Sequence, residues 1–486
     1  MGVFLFTGNT DIFPWLAKET KPYLHTKMDG NAINRLAAQL NRRLIDRGYV
    51  TSRVLVPEQN LASGSLRFVL QVGLFHAFVD ATGKEVPSSV AHAFPLHPGE
   101  VLNLRKLEQG LEQLNRLPSQ KVRMKLRPAV IPFASDVELS FTRTNTLYGL
   151  VSLDDSGLKS TGKLQWNLDL GLDQPFQQGD RLQIDLTGDG TRSGTQKGTR
   201  GQSVSYSFPY GWDPFNFYSS RYQYHQRIHL DPFPFLSEGI TKTGKFTWDH
   251  VFYRSQKEKQ SFDLSVRKRD SHSYLDHQEL SVQTQHTTAL EAGWNLREYL
   301  GDGVLYTRVA HRLGVGWLGA MPENPYGEGP KTRYHMWLLD ADYQKPFAVG
   351  NIKALYTGSF HGQWTTGGDR LYGLDGISMG NRYTVRGFDG EYTLLGESGW
   401  YFRNEVAFPI KDQELYLGAD LGAVYGPSTD MLVGHTIVGG VLGIRGKFPV
   451  GSTCMVYDAF VGIPFYKPEG YPTKSVTCGF MAGWRL

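Results

Sequence analysis

Cysteine is nearly absent: the 486-residue chain holds two, Cys454 and Cys478. So low a count excludes a disulfide scaffold and a cysteine-rich metal site. If both lie on the last hairpin, with its turn near Glu469 to Tyr471, Cys478 faces Ile463 or Pro464. That position is about ten residues from Cys454, and at ~3.3 Å per residue far outside disulfide reach. Two free thiols are expected. A strong charge of one sign is also missing, since the net charge is only +4, which gives no warrant for a nucleic-acid partner. No stretch approaches the roughly 18 apolar residues of a transmembrane helix. This excludes helical spans but not a membrane barrel, whose strands alternate and keep mean hydropathy low. Met1-Gly2 runs straight into Val3-Phe4-Leu5-Phe6 with no basic n-region or long h-region, so this start is not a signal peptide. In an exported protein, the signal and any further N-terminal sequence would lie ahead of it.

Catalytic signatures are missing as well. There is no GxxxxGK[ST] phosphate loop, no G-x-S-x-G, no H-E-x-x-H and no paired cysteine motif. Fourteen histidines are scattered; His225 and His229 have i,i+4 spacing, but Tyr222–Leu230 reads as strand and loop rather than helix. The chain is therefore expected to be no enzyme and to carry no metal or cofactor.

What is present divides into two halves. Up to about Asn145 the chain reads as α+β and repeats itself. Ile33, Leu36, Ala37, Leu40 and Leu44 fall on one face of a helix over 31–47. Asp29 to Asn31 supply a start signal and Gly48 a C-cap. Strand-like runs follow at Tyr49–Val56 and Leu66–Val72. About 70 residues later the order recurs: Leu104, Leu107, Leu111 and Leu114 form a stripe between Asn103 and Pro118, then strands at Lys121–Leu126 and Val137–Thr142. These leucines are core, with no chemical role.

From Leu147 onward the period changes to two. Leu164, Trp166, Leu168, Leu170 and Leu172 alternate with Gln165, Asn167, Asp169 and Gly171. Leu182, Ile184 and Leu186 alternate with Arg181, Gln183 and Asp185, and Phe262, Leu264 and Val266 with Asp263, Ser265 and Arg267. At the end Val476, Cys478, Phe480, Ala482, Trp484 and Leu486 alternate with Thr477, Gly479, Met481, Gly483 and Arg485. Strands of about ten such residues are the signature of a membrane barrel. Short turns near Gln174–Gly179, Pro209–Pro214, Ser255–Glu258, Pro409–Gln413 and Pro449–Ser452 alternate with longer polar loops near Gly188–Gln202, His225–Thr241, Trp317–Lys331 and Gly362–Ser398. Counting this way predicts a transmembrane β-barrel of about sixteen antiparallel strands. A soluble β-sandwich or soluble barrel also alternates, but its outward face is polar; here Asp, Arg, Gln and Gly suit a wet lumen.

Two repeated α+β modules before such a barrel resemble the POTRA-plus-barrel superfamily, and within it the two-partner secretion transporters (TpsB), over essentially the whole chain. Asp154-Asp155-Ser156-Gly157 followed by Ser160-Thr161-Gly162 resembles their first surface hairpin. Val385-Arg386-Gly387-Phe388 resembles the VRGF/Y motif of the long loop that folds back into the barrel. Asp420 and Gly422 resemble the strand motif FxDxG that receives the loop's arginine, with Gly418 standing where the Phe is expected. Asn103-Leu104-Arg105 and Asn115-Arg116-Leu117-Pro118 resemble the second module's helix. The resemblance implies a first POTRA module at 1–73, a second at 74–145, and an outer-membrane barrel at 146–486 with an in-folded loop at 362–398.

In the strand Leu415–Val424, Leu415, Leu417, Ala419, Leu421 and Ala423 make an outward face, so Tyr416, Gly418, Asp420, Gly422 and Val424 point inward. A lumenal Asp must be solvated or paired. Arg386 can bind it with two parallel hydrogen bonds, which a Lys cannot. Gly387 permits close backbone approach, Phe388 anchors the tip, and Gly418 and Gly422 leave room for it. On the preceding strand Trp400, Phe402, Val406 and Phe408 are outward, leaving Arg403 and Glu405 inward, to pair with each other, with neighbouring strands or with the loop. Asp458, Arg445 and Arg485 are further inward candidates.

The resemblance implies a transporter in the Gram-negative outer membrane, in contact with its lipids, monomeric, with the modules in the periplasm binding an unfolded TpsA-type exoprotein. Filamentous adhesin, haemolysin and contact-dependent toxin are all compatible cargoes. The periplasm lacks ATP, so export would run without it. The alternatives are a barrel-assembly insertase, which usually carries a longer periplasmic arm, and a passive porin, which would not need the modules.

Overall fold

Alternation and helical stripes predict where backbone hydrogen bonds go, and the computed structural model shows them. It describes residues 2–8, 10–191, 194, 196–229, 233–323, 329–451 and 453–485. The chain divides into two units: Met1–Asn145 with Gln174–Asp180 and Pro209–Trp212, and the remainder from Thr146 on.

In the first unit, the predicted helix spans Gly30–Asp46 and buries the five expected side chains, Ile33, Leu36, Ala37, Leu40 and Leu44. Asp29 caps it by accepting a hydrogen bond from the Ala32 amide at 2.7 Å, and Gly48 follows at φ +91°, a left-handed stop that favours glycine. The helix packs on a three-stranded sheet in which Ser65–Gln71 lies between Val3–Gly8, parallel, and Arg53–Leu55, antiparallel. Leu36, Leu40, Leu44, Leu66 and Phe68 form the centre of its core, each burial being worth about 1.5–3 kcal/mol.

The second module repeats this plan. The helix Leu104–Asn115 is capped by Asn103, which accepts from the Arg105 amide at 2.8 Å. Its sheet places Ala134–Arg143 between Leu74–Val79, parallel, and Gln120–Pro128, antiparallel. Three sequence expectations need correction. Each module opens with a strand, Val3–Gly8 or Leu74–Val79, that the repeat starting at the helix leaves out. The predicted strand Tyr49–Val56 contracts to Arg53–Leu55, because Tyr49 to Ser52 form a turn closed by the Ser52 amide on the Tyr49 carbonyl. Leu107 and Leu114 are buried as expected, but Leu104 and Leu111 are only half-buried. Gln109, Gly110 and Gln113 fill the buried face instead.

The second unit is a closed barrel of 16 antiparallel strands, running from Leu147–Asp154 to Thr477–Arg485. Each strand pairs with its sequence neighbours, and Met481–Arg485 closes the ring against Leu150–Asp154. Closure removes every free sheet edge, as a bilayer demands. At one end the connections are as short as 301–302, 350–351 and 411–412; at the other they reach 316–334 and 366–397. Rows such as Val151, Leu168 and Leu186 run across successive strands on the apolar face. Leu486, predicted as the last outward position, lies outside the described residues, as do parts of three predicted loops and Ser452.

Three loops are shorter than their polarity suggests. Pairing continues to Asp189 and resumes at Lys197; it continues to His229 and resumes at Pro234; and the long loop starts after Thr365 and ends before Ser398. Polar residues mark the end of the apolar belt, whereas the backbone ladder runs on above it. Both cysteines are free. Cys478 lies opposite Val461 rather than Ile463 or Pro464, because the hairpin is centred between Glu469 and Gly470.

Candidate functional site: an arginine bound to the inner wall

The segment between Thr365 and Ser398 has a small core of its own. A two-stranded ribbon, Ile377–Met379 with Leu394–Gly396, packs with Val385 and Phe388 against Val424, Ile437 and Tyr471. Phe388 meets Tyr471 edge-on at 5.6 Å, and Tyr471 donates its hydroxyl to the Tyr392 carbonyl at 2.7 Å. Phe388 is thus an apolar anchor.

Arg386 and Asp420 come together. The guanidinium donates from Nε to Asp420 Oδ2 at 2.7 Å and from Nη2 to Oδ1 at 2.9 Å, the two-pronged geometry expected. The Arg386 amide also donates to Oδ2 at 3.0 Å, and the Asn404 amide to Oδ1 at 3.2 Å. Asp420 has no exposed surface and Arg386 only 6%. Glu405 completes the arrangement, accepting from Arg386 Nη1 at 2.5 Å and from Arg445 at 2.8 Å. One buried guanidinium therefore lies between two carboxylates of adjacent strands. Removing it would strand the fully buried Asp420, at a cost of about 3–5 kcal/mol for a buried pair, and leave Glu405 with Arg445 alone.

Arg403 takes another part. It stands opposite Asp420 in the ladder but donates to the Tyr383 carbonyl at 3.1 Å, holding the loop by its backbone. Arg445 also binds Glu414 at 2.8 Å, and Asp458 accepts from Tyr416 at 2.8 Å. Arg485 is a wall residue opposite Cys454.

The wall beneath the motif is made of glycine. A Cβ on Gly418 would stand 2.5 Å from Arg386 Nη2, and one on Gly422 2.7 Å from Met379 Sδ. The missing Phe of the strand motif therefore leaves the space that the guanidinium occupies. Gly387 has φ +102°, where other residues are strained, and a Cβ there would overlap the Ile463 carbonyl. Sequence reasoning missed Gly439 and Gly462, which face Arg386 and Gly387 from the next two strands. Inward parity, extended from Gly418 along the following strands, would have found them. It also missed Arg382, which pairs with Asp155 of the first hairpin and lies 5.1 Å over the Phe460 ring. Asp375, bound by Arg267 and Arg269 at 2.8 and 3.1 Å, fixes the start of the loop. Across the lumen-facing wall, Arg308 bridges Asp263 and Glu291, and Arg312 binds Glu291, at 2.6–2.7 Å. Among the described residues no group of three or more His, Cys, Asp or Glu could hold a metal.

A closed sixteen-strand barrel behind two α+β modules, with a long loop bound through arginine to an inward aspartate, defines the POTRA-plus-barrel class. The chain belongs to the haemolysin secretion/activation protein family ShlB/FhaC/HecB, whose profile matches residues 134–446. Profiles of a ShlB-type POTRA domain and a second POTRA domain match 4–73 and 76–128. Outer membrane transporter CdiB-2 of Burkholderia pseudomallei (strain 1026b) is 36% identical over 469 residues, covering 96% of this chain and 79% of that one. Hemolysin transporter protein HpmB of Proteus mirabilis is 29% identical over 405 residues, 81% and 70% of the two chains. The solved structure of CdiB from Acinetobacter baumannii superposes with a TM-score of 0.87 at 26% identity, over 100% of this chain and 89% of that one. CdiB from Escherichia coli has the same fold, with a TM-score of 0.92 at 24% identity.

Proposed function

We propose that this chain secretes one cognate, large exoprotein through its barrel, and that the Arg386–Asp420–Glu405 cluster is the latch holding the in-folded loop in the conformation export requires. The modules, taken as 1–73 and 74–145, would stand in the periplasm, with the barrel from 146 in the outer membrane. The observation that carries this reading is the buried arginine itself. A loop that only narrowed a pore could rest on apolar contacts, whereas this one places a charge between two wall carboxylates at desolvation cost. The cargo is a TpsA-type exoprotein captured unfolded; relatives named hemolysin and CdiB transporters favour a haemolysin or contact-dependent toxin over an adhesin. The outer edge of Gln120–Pro128, with no strand paired to it among the described residues, suits an extended chain, because added-strand pairing uses backbone groups and demands little sequence. Export would proceed without ATP by a monomer in contact with outer-membrane lipids, drawn outward by folding of the emerging chain.

The test is coexpression with a candidate TpsA-type exoprotein. Arg386→Ala should abolish its appearance in the medium while the barrel still inserts and other outer-membrane proteins assemble normally. Undiminished export would defeat the latch, and loss of other barrels instead of the exoprotein would favour an insertase.

A further inference from the structure

Cross-strand register puts a cationic patch on the outside of the barrel. Arg221 lies directly opposite Lys242. On the next strand Asp270 lies directly opposite Lys242, and Lys268 lies opposite Gly244, diagonal to Lys242. The row shares its face with Phe217, Phe246 and Val266, two to four residues nearer the short-turn end, so all three cations point outward, just above the apolar belt. Arg221 and Lys242 are exposed and have no acidic partner at ion-pair distance among the described residues. Lys268 has only Asp270, at 3.8 Å.

Like charges placed directly opposite on neighbouring strands destabilise a sheet; the one carboxylate of the groove lining, Asp270, lies opposite Lys242 on its other side but is bound by His286 at 2.8 Å, which leaves three cations to one acid. Farther round the barrel, outward pairs toward the long-loop end such as His311 with Trp337 and Leu313 with His335 hold no Lys or Arg. The cations also border an open groove of about 490 Å³, the size of a small-ligand site. Its floor is low because Ser219 and Gly244 face each other there, and a Cβ on Gly244 would meet nothing. Its far side is apolar, formed by Ile184, Leu186 and Val204. Cations at one edge and an apolar trough beside them match an anion joined to a hydrocarbon chain.

We propose that this groove binds a phosphate-bearing acyl lipid of the outer leaflet, its phosphates between Arg221, Lys242 and Lys268 and one acyl chain along Ile184 and Val204. The inference rests on the outer-membrane reading and adds a specific lipid site to it. Arg and Lys both suit phosphate, and charge-assisted bonds beside the bilayer are screened less than in water.

The full chain in detergent can be examined by native mass spectrometry with bis-phosphorylated lipid A as probe. Wild type should retain it, and Arg221→Gln/Lys242→Gln/Lys268→Gln should bind at least about tenfold more weakly. Dephosphorylated lipid A should bind wild type as weakly as the variant does, which keeps the test decisive if the variant fails to fold. Equal retention by wild type and variant, or of both lipids by wild type, would overturn the site. So would displacement of lipid A by millimolar inorganic phosphate, which would show a free-phosphate site. Failure of the wild type to insert into bilayers would instead overturn the outer-membrane reading.

Discussion

The two units solve the same problem, keeping a segment in place, by opposite means. The modules use apolar packing: Leu107 is fully buried in one cluster with Phe75, Phe78 and Phe94, where shape and area decide. The in-folded loop uses both packing and charge. Val385 and Phe388 bury themselves against the wall, but Arg386, which follows Val385, carries a charge to Asp420 and Glu405. Apolar packing tolerates small errors, because neighbours relax. A buried ion pair tolerates almost none, because the partner left behind is stranded. The modules are thus held by area and shape, and the loop by area together with one defined charge pairing.

The largest effect should come from breaking the charge. Arg386→Ala should lower export at least a hundredfold, and Arg386→Lys should not rescue it, because an ammonium cannot make both bonds to Asp420. Secretion measured by immunoblot of medium and cells decides; full activity in the Lys variant would reduce the site to a mere positive charge. Next comes the glycine bed. Gly439→Ala would drive a Cβ into the Arg386 carbonyl and should displace the loop, raising single-channel conductance in planar bilayers while the barrel keeps its heat-modifiable mobility. Leu107→Ala should cost about 2–5 kcal/mol, read as faster proteolysis of the arm with the barrel intact; equal sensitivity of both parts would deny their independence. Asp155→Asn should be mild, within about threefold in export, since the Asn oxygen can still accept from Arg382 and the Phe480 amide and Arg382 keeps its stacking on Phe460. Smallest of all, alkylation before and after reduction should give the same mass, with two thiols labelled.

Much of this was legible from period alone. Helical stripes placed the two helices, since Ile33 through Leu44 could only face one core, and period-two alternation placed the strands and the even count. Arg386 and Asp420 could be paired from the resemblance together with inward parity, and Glu405 from parity. What escaped was whatever period does not encode. Val3–Gly8 and Leu74–Val79 are short strands whose pairing is parallel and distant in sequence. Loop ends were misplaced at Asp189 and His229 because hydrogen bonding continues where hydrophobicity stops. Gly439 and Gly462 carry no side chain to signal a role, and only the loop lying on them gives them one.

The most direct test of the central claim is a double-mutant cycle on export with Arg386→Ala, Asp420→Ala and the two combined. If the loop is held by this pair, each single change removes the same interaction, and the double variant should secrete no worse than the poorer single one. Independent effects that multiply in the double variant would show that arginine and aspartate act apart, and the latch would have to be abandoned.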